Sequence, residues 1–141
     1  MTRLTLAQAN QIIEGALKHS KARGFKPMGV TVVDDGGNIK AFQRDDNATM
    51  FRFEISLGKA WASVGMGAAS RVLFDRAKDN PNFFVSLAAS SQGRFLAQTG
   101  AVLIKDAAGN ILGAAGASGG TGDEDEEICA AGIKAAGLVV G

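Results

Sequence analysis

The chain has 141 residues, a formal net charge of +1 and 46% hydrophobic residues, which predicts one globular domain over residues 1–141. Charged residues make up 21% of the chain and nearly balance, so we expect no nucleic-acid partner. No stretch reaches the roughly 18 apolar residues that cross a bilayer, so we expect no membrane partner either. One cysteine and one histidine exclude an internal disulfide and the usual tetrahedral zinc cluster.

Two features predict a cytoplasmic location. The single cysteine, Cys129, lies in an alanine-rich run that is typical of a buried helix, which fits a reducing compartment. Residues 1–5 lack the apolar region of a signal peptide and lead directly into a helical pattern.

The first predicted element is a helix over residues 6–22, where apolar residues recur at helical spacing. Thr5 and Gln8 match a capping box at its start. Gly24 can adopt the left-handed conformation that ends a helix.

Two β-hairpins follow at different places in the chain. Residues 29–33 and 39–44 form the first, and residues 102–105 and 111–115 form the second, because β-branched or alternating runs flank turn residues. Four residues of the first turn recur at a constant offset of 72: Asp34, Gly37, Asn38 and Ile39 correspond to Asp106, Gly109, Asn110 and Ile111. Together they predict a central antiparallel sheet with flanking helices, an α+β fold.

The remaining segments are mostly helical. An apolar stripe predicts the longest helix, and Pro81 ends the one after it. The stripe consists of Phe53, Leu57, Ala60, Trp61 and Val64. We predict helices over 50–67 and 69–78, a short helix with an irregular loop over 81–100, a glycine-rich loop over 116–122 and a last helix over 123–138.

The glycine-rich loop leads into five consecutive acidic residues, and two interpretations remain open. In one, Thr121 caps the helix and Glu124 completes a capping box. In the other, the loop amides approach a ligand closely, while Asp125 and Glu126 pair with cations or orient a polar substrate. The ligand-binding residues of the loop would then be Gly119, Gly120 and Thr121.

Three other residues are candidates for binding an anion or a ligand. Lys59 lies opposite the apolar stripe of its helix, where it is either solvated or holds a carboxylate. Arg44 and Asp45 follow the second strand, where loops commonly carry ligands. Arg44 could clamp a carboxylate in a bidentate manner or pair with neighbouring acids.

The single histidine, His19, lies near the C-terminal end of the first predicted helix. It is either a surface residue that interacts with the helix dipole or a ligand of a metal or haem iron, for which one imidazole suffices. Several phenylalanines form either plain core or the wall of an apolar pocket. They are Phe51, Phe53, Phe74, Phe83, Phe84 and Phe95.

Over nearly its full length the chain resembles the GlcG/HbpS-like family, also known as domain of unknown function 336. The motifs that carry the resemblance are the opening residues 4–9, the hairpin 32–39, the helical pair 59–60, and residues 116–120 leading to 125–126 and 129–132. The resemblance implies a profilin-like α+β domain that assembles into homo-oligomers. It also implies that some members bind haem or related tetrapyrroles.

Three functions remain open. The first is binding of a small ligand, with haem as the candidate cofactor and His19 as its iron ligand. Its pocket would be formed by Arg44, Asp45, Lys59, the loop over 119–122 and residues 125–126. The second is an isomerase, tautomerase, lyase or hydrolase that acts on a small carboxylate-bearing metabolite. In that enzyme Lys59 and Arg44 would bind the carboxylate, and Asp125 and Glu126 would act as acid and base. The third is a structural or regulatory partner whose small-residue helices form oligomer interfaces.

Overall fold

A computed structural model describes residues 3–141 as five helices and one five-stranded sheet. The elements are α1 (Leu6–Arg23), β1 (Gly29–Asp34), β2 (Ile39–Arg44), α2 (Phe51–Met66), α3 (Ser70–Asp79), α4 (Pro81–Ser90), β3 (Ala101–Lys105), β4 (Ile111–Ser118), α5 (Gly122–Ala135) and β5 (Val139–Val140). The predicted α+β class is confirmed. Met1 and Thr2, which belong to the segment expected to lack a signal peptide, lie outside the described residues.

The sheet has the order β2-β1-β4-β3-β5, and every neighbouring pair is antiparallel. β1 and β4 are the inner strands of the two predicted hairpins and pair with each other. The two turns share one hydrogen-bond pattern, because the Oδ1 atoms of Asp34 and Asp106 each accept two backbone N–H groups of the turn that follows. The repeat with an offset of 72 residues is therefore structural.

Helices cover both faces of the sheet. On one face, α1 and α5 pack together over a core that includes Val30 and Val32 of β1. On the other face, α2 lies across β1, β3 and β4 and covers Val33. This alternation along β1 is expected of a strand that is buried on both sides.

The close contact between α2 and the sheet requires small residues. A Cβ atom built on Gly116 of β4 would lie 2.3 Å from the backbone oxygen of Ser56. Beside it, the hydroxyls of Thr31 and Ser56 form a buried hydrogen bond of 2.7 Å. The predicted apolar stripe of α2 packs on the core: Leu57 and Val64 lie against the cluster around Val33, and Trp61 lies against the cluster around Leu73. The side chains that α2 buries completely are small, and Trp61 and Val64 are only half-buried.

The third and fourth helices form a smaller core outside α2. There Leu73, Phe84 and Phe95 pack with Ala62. Phe51 and Phe83 are exposed, so the six phenylalanines do not line one pocket. Pro81 occupies the first turn of α4, where a missing N–H group costs nothing.

Two boundaries differ from the sequence-based prediction. β4 continues through Ser118, so much of the predicted loop over 116–122 is strand. α5 ends at Ala135 rather than near residue 138, and a short strand, β5, follows it. No helix among residues 3–141 is long and apolar enough to span a bilayer.

Candidate functional site

The most deeply buried charged residues meet where α2, β4 and α5 converge. Lys59 of α2 is 5% exposed and Asp125 of α5 is 2% exposed. The Nζ of Lys59 donates to Oδ2 of Asp125 at 3.0 Å and to the backbone oxygen of Ala117 at 2.9 Å. Of the two alternatives for Lys59, a solvated side chain and one that holds a carboxylate, the structure shows the second, and this second face of the helix is buried.

The loop before α5 closes over this pair. The backbone N–H of Gly120 donates to Oδ1 of Asp125 at 3.0 Å, so both carboxylate oxygens of Asp125 have a partner. Gly100 approaches from β3, and a Cβ built on it would lie only 2.7 Å from Nζ of Lys59. A glycine is therefore needed at position 100 to leave room for the ammonium group.

Burial controls the ionisation of this cluster. Burial raises the pKa of Asp125 above its usual range, and the charge and hydrogen bond of Lys59 oppose that shift. Burial also raises the pKa of the Cys129 thiol, whose Sγ lies 3.8 Å from the backbone oxygen of Gly100. Cys129 is therefore an inert core thiol rather than a nucleophile.

The acidic N-terminal turn of α5 has separate partners. Thr121 and Glu124 form the predicted capping box, with both reciprocal hydrogen bonds present. Glu126 pairs with Nε of Arg71 at 3.1 Å, and Asp123 also contacts Arg71. Glu126 therefore points to α3 rather than to the Lys59–Asp125 pair.

The loop after β2 is held by its own polar groups. Arg44 donates to the backbone oxygen of Ala48, and Oδ2 of Asp45 accepts the backbone N–H of Met28 at 2.9 Å. These hydrogen bonds stabilise the loop and do not join Lys59 or Asp125.

His19 lies on the surface between α1 and α5. Its Nε2 is 2.7 Å from Oε2 of Glu127, and the same oxygen accepts from Nε of Arg23 at 3.0 Å. The His19 side chain is 36% exposed. The hydrogen bond from His19 and the contact with Arg23 hold the pKa of Glu127 below its usual range.

Arg52 is a charged site residue that we did not predict. Its Nη1 donates to the Ser118 hydroxyl at 2.8 Å, and its Nε donates to the Thr49 hydroxyl at 3.1 Å. It lines a cavity of about 170 Å³ together with Lys26 and Gly119. The sequence carried a usable signal, because Arg52 and Lys59 are seven residues apart and so share one face of a helix.

A larger cavity of about 500 Å³ lies on another flank of α1. Its lining residues are Leu17, Lys18, Ser20, Lys21, Phe25, Pro27, Asp45 and Asp46. Among residues 3–141, no group of three or more histidine, cysteine or acidic side chains could hold a metal ion. A haem iron is a different case, because a single imidazole can hold it.

Comparison with known proteins identifies the family. A curated relative from Citrobacter freundii, an uncharacterized 15.0 kDa protein in the dhaT-dhaS intergenic region, is 29% identical over 123 residues, covering 86% of this chain and 84% of its own. The solved PduOC:heme complex superposes with a TM-score of 0.86 at 25% identity, covering 99% of this chain and 98% of the other. The crystal structure of HbpS superposes with a TM-score of 0.81 at 25% identity, covering 95% and 90%. Residues 4–134 match the model of the family described as haem degrading protein HbpS-like, and the chain is therefore a member of that family.

Proposed function

We propose that the protein binds haem, with His19 as the side-chain ligand of the iron. Membership of the HbpS-like family and the similarity to a haem complex support a haem-related, small-ligand-binding role. The observation that carries the proposal is the geometry of His19, whose half-exposed ring is held by Glu127 through a 2.7 Å hydrogen bond.

The chemistry of these residues fits an iron ligand. His19 is the only histidine in the chain, and its second ring nitrogen has no hydrogen-bond partner among residues 3–141. Histidines that ligate metals commonly donate their other ring N–H to a carboxylate, which orients the ring and increases its basicity. Glu127 binds Nε2 of His19, so the iron would bind Nδ1, and Arg23 next to it is suited to a propionate. Bound there, haem would supply a redox-active iron.

The open position of His19 supports a homo-oligomer. His19 does not line the 500 Å³ cavity, so a haem bound to its ring would rest on the outer surface of α1 and α5. A flat tetrapyrrole on a surface leaves one apolar face in water, which is unfavourable. In our proposal a second copy of the chain covers that face.

A haem titration of the purified protein tests the proposal. We expect wild type to develop a saturable Soret band at a fixed stoichiometry, and His19→Ala to lose it. Lys78→Ala removes an exposed cation from α3 and serves as the matched control that should bind as wild type does. Binding that is equal in wild type and His19→Ala would remove His19 from the role of ligand.

The buried pair supports a second candidate, the enzyme acting on a small carboxylate-bearing metabolite. The supporting observation is that burial raises the pKa of Asp125, as in carboxyl groups that hold a proton for catalysis. In that enzyme Asp125 would hold the proton, Lys59 would bind the carboxylate and the 119–121 loop would contact the substrate, whereas Arg44, Asp45 and Glu126 have other partners and would take no part. Turnover that survives in Asp125→Asn would contradict this function, and turnover lost in a folded Asp125→Asn variant would support it.

A further inference from the structure

The wall of the small cavity beside Arg52 carries two cations, and within residues 3–141 neither forms an ion pair with an acidic side chain. The cavity holds about 170 Å³, and Lys26 and Arg52 lie in its wall. Among residues 3–141, neither cation has an acidic side chain within 4.0 Å. We propose that this cavity is a binding site for a small organic carboxylate, held by the Arg52 guanidinium and the Lys26 ammonium. This site goes beyond the proposed haem function and uses none of its residues.

The guanidinium of Arg52 is fixed in orientation and still has free donors. Its five N–H groups include one that donates to Thr49 and one that donates to Ser118. These two hydrogen bonds come from the start of α2 and the end of β4, so both elements position the group. Three N–H groups remain for a ligand, which is enough for a bidentate contact with a carboxylate.

The charge around the cavity favours an anion. The charge of Arg52 reaches Asp125, whose pKa it lowers against the effect of burial. Asp125 is already paired with Lys59, so it does not neutralise Arg52. Lys26 is exposed and adds a second positive charge to the wall of the cavity.

The walls set the size of the ligand. Gly119 contributes backbone only, and a Cβ built on it would lie 2.2 Å from the backbone oxygen of Pro27. Its φ of +149° adds a second reason for glycine at this position. A volume of about 170 Å³ compares with the roughly 30 Å³ that one water molecule takes up in the liquid. The cavity therefore has room for a carboxylate with a few carbon atoms.

A planar carboxylate fits this donor set better than a phosphate. The flat fork of Arg52 matches two oxygens of either a carboxylate or a phosphate, and Lys26 acts as a single point charge, so the number of cations and not the fork favours the carboxylate. A phosphate has a third charged oxygen outside that plane, and the site shows no third cation to meet it.

An NMR titration of the full-length protein with succinate tests the proposal, with ionic strength held constant by sodium chloride. We expect saturable shifts of the Thr49 and Gly119 amide signals. Lys26→Gln, at an exposed position, should weaken binding about two- to fivefold. Arg52→Gln should weaken it about tenfold or more. Lys78→Gln should bind as wild type does, and His19→Ala should too, which separates this site from haem binding.

Three results would overturn the proposal. One is the absence of saturable shifts in wild type. Another is equal succinate affinity in wild type and in Lys26→Glu. This variant reverses an exposed charge and leaves the buried structure untouched, so it tests the site even if Arg52→Gln fails to fold. The third is binding of inorganic phosphate in the same titration when acetate and succinate do not bind, which would give the site to a phosphate.

Discussion

The Nζ of Lys59 lies 3.0 Å from Oδ2 of Asp125, and both side chains are almost completely excluded from solvent. The pair links α2 to α5. Each charged group is stabilised by the other, because burying an ion without a partner is costly in free energy.

Replacing Lys59 alone should therefore destabilise the protein strongly. We expect Lys59→Met to lower the free energy of unfolding by about 3–5 kcal/mol, since it leaves the Asp125 carboxylate buried without its cation. The double variant Lys59→Met/Asp125→Leu should lose much less than the sum of the two single losses. Urea unfolding of all four proteins measures this coupling. Additive losses would mean that the two charges do not stabilise each other.

Two glycines in contrasting places test the packing of α2. Gly116→Ala should destabilise the protein by about 1–3 kcal/mol, because the new methyl group meets the backbone oxygen of Ser56. Gly65→Ala in α2 meets no atom within 4 Å and should stabilise the protein by about 0.5–1 kcal/mol. Thermal unfolding of both variants provides the comparison. Equal shifts of the unfolding temperature, with the same sign in both variants, would contradict the close contact between α2 and β4.

The Glu127 contacts should make stability depend on pH. The pKa of Glu127 is lowered, first by the hydrogen bond with His19 and then by Arg23. A carboxyl with a lowered folded-state pKa stabilises the fold above its unfolded pKa, and this contribution disappears as the pH falls through the folded value.

Glu127→Gln should consequently be less stable than wild type near neutral pH, and the difference should shrink on acidification. Denaturant midpoints measured across the acidic range give the comparison, with Glu14→Gln as a control at an exposed carboxyl that forms no ion pair within residues 3–141. A difference that stays constant with pH would show that the carboxylate charge does not stabilise this contact.

Local signals predicted the helices and turns well. Thr5 and Gln8 form both hydrogen bonds of the capping box, and Gly24 ends α1 in the left-handed conformation. The turns at Asp34 and Asp106 likewise follow from side chain to backbone hydrogen bonds within five residues. Features of this kind depend on residues that are close in the chain, so they can be predicted from the sequence.

The features that the sequence does not predict correctly depend on contacts between segments that are distant in the chain. Gly116 was assigned to a loop because glycine is common in loops, yet it is a strand residue made small by the approach of Ser56. Whether Lys59 is solvated or holds a carboxylate stays open in the sequence because its partner, Asp125, is 66 residues away. β5 exists only because Val139 and Val140 pair with β3.

The site predictions also differ according to whether they depend on local or on long-range contacts. Lys59, Gly120 and Asp125 come together in the structure, whereas Arg44 and Glu126 have other partners. The capping box at Thr121 was readable because it is local. The position of Arg52 beside Ser118 was not, since it requires the end of β4 to meet the start of α2.

The most direct test of haem ligation uses the fact that His19 is the only histidine. Protein grown with ¹⁵N-labelled histidine and loaded with ferric haem can be examined by pulsed electron paramagnetic resonance. Our account predicts a ¹⁵N hyperfine coupling to the iron that is absent from unlabelled protein. Stoichiometric haem binding without that coupling would show that His19 is not the ligand and would contradict the proposed function of this residue.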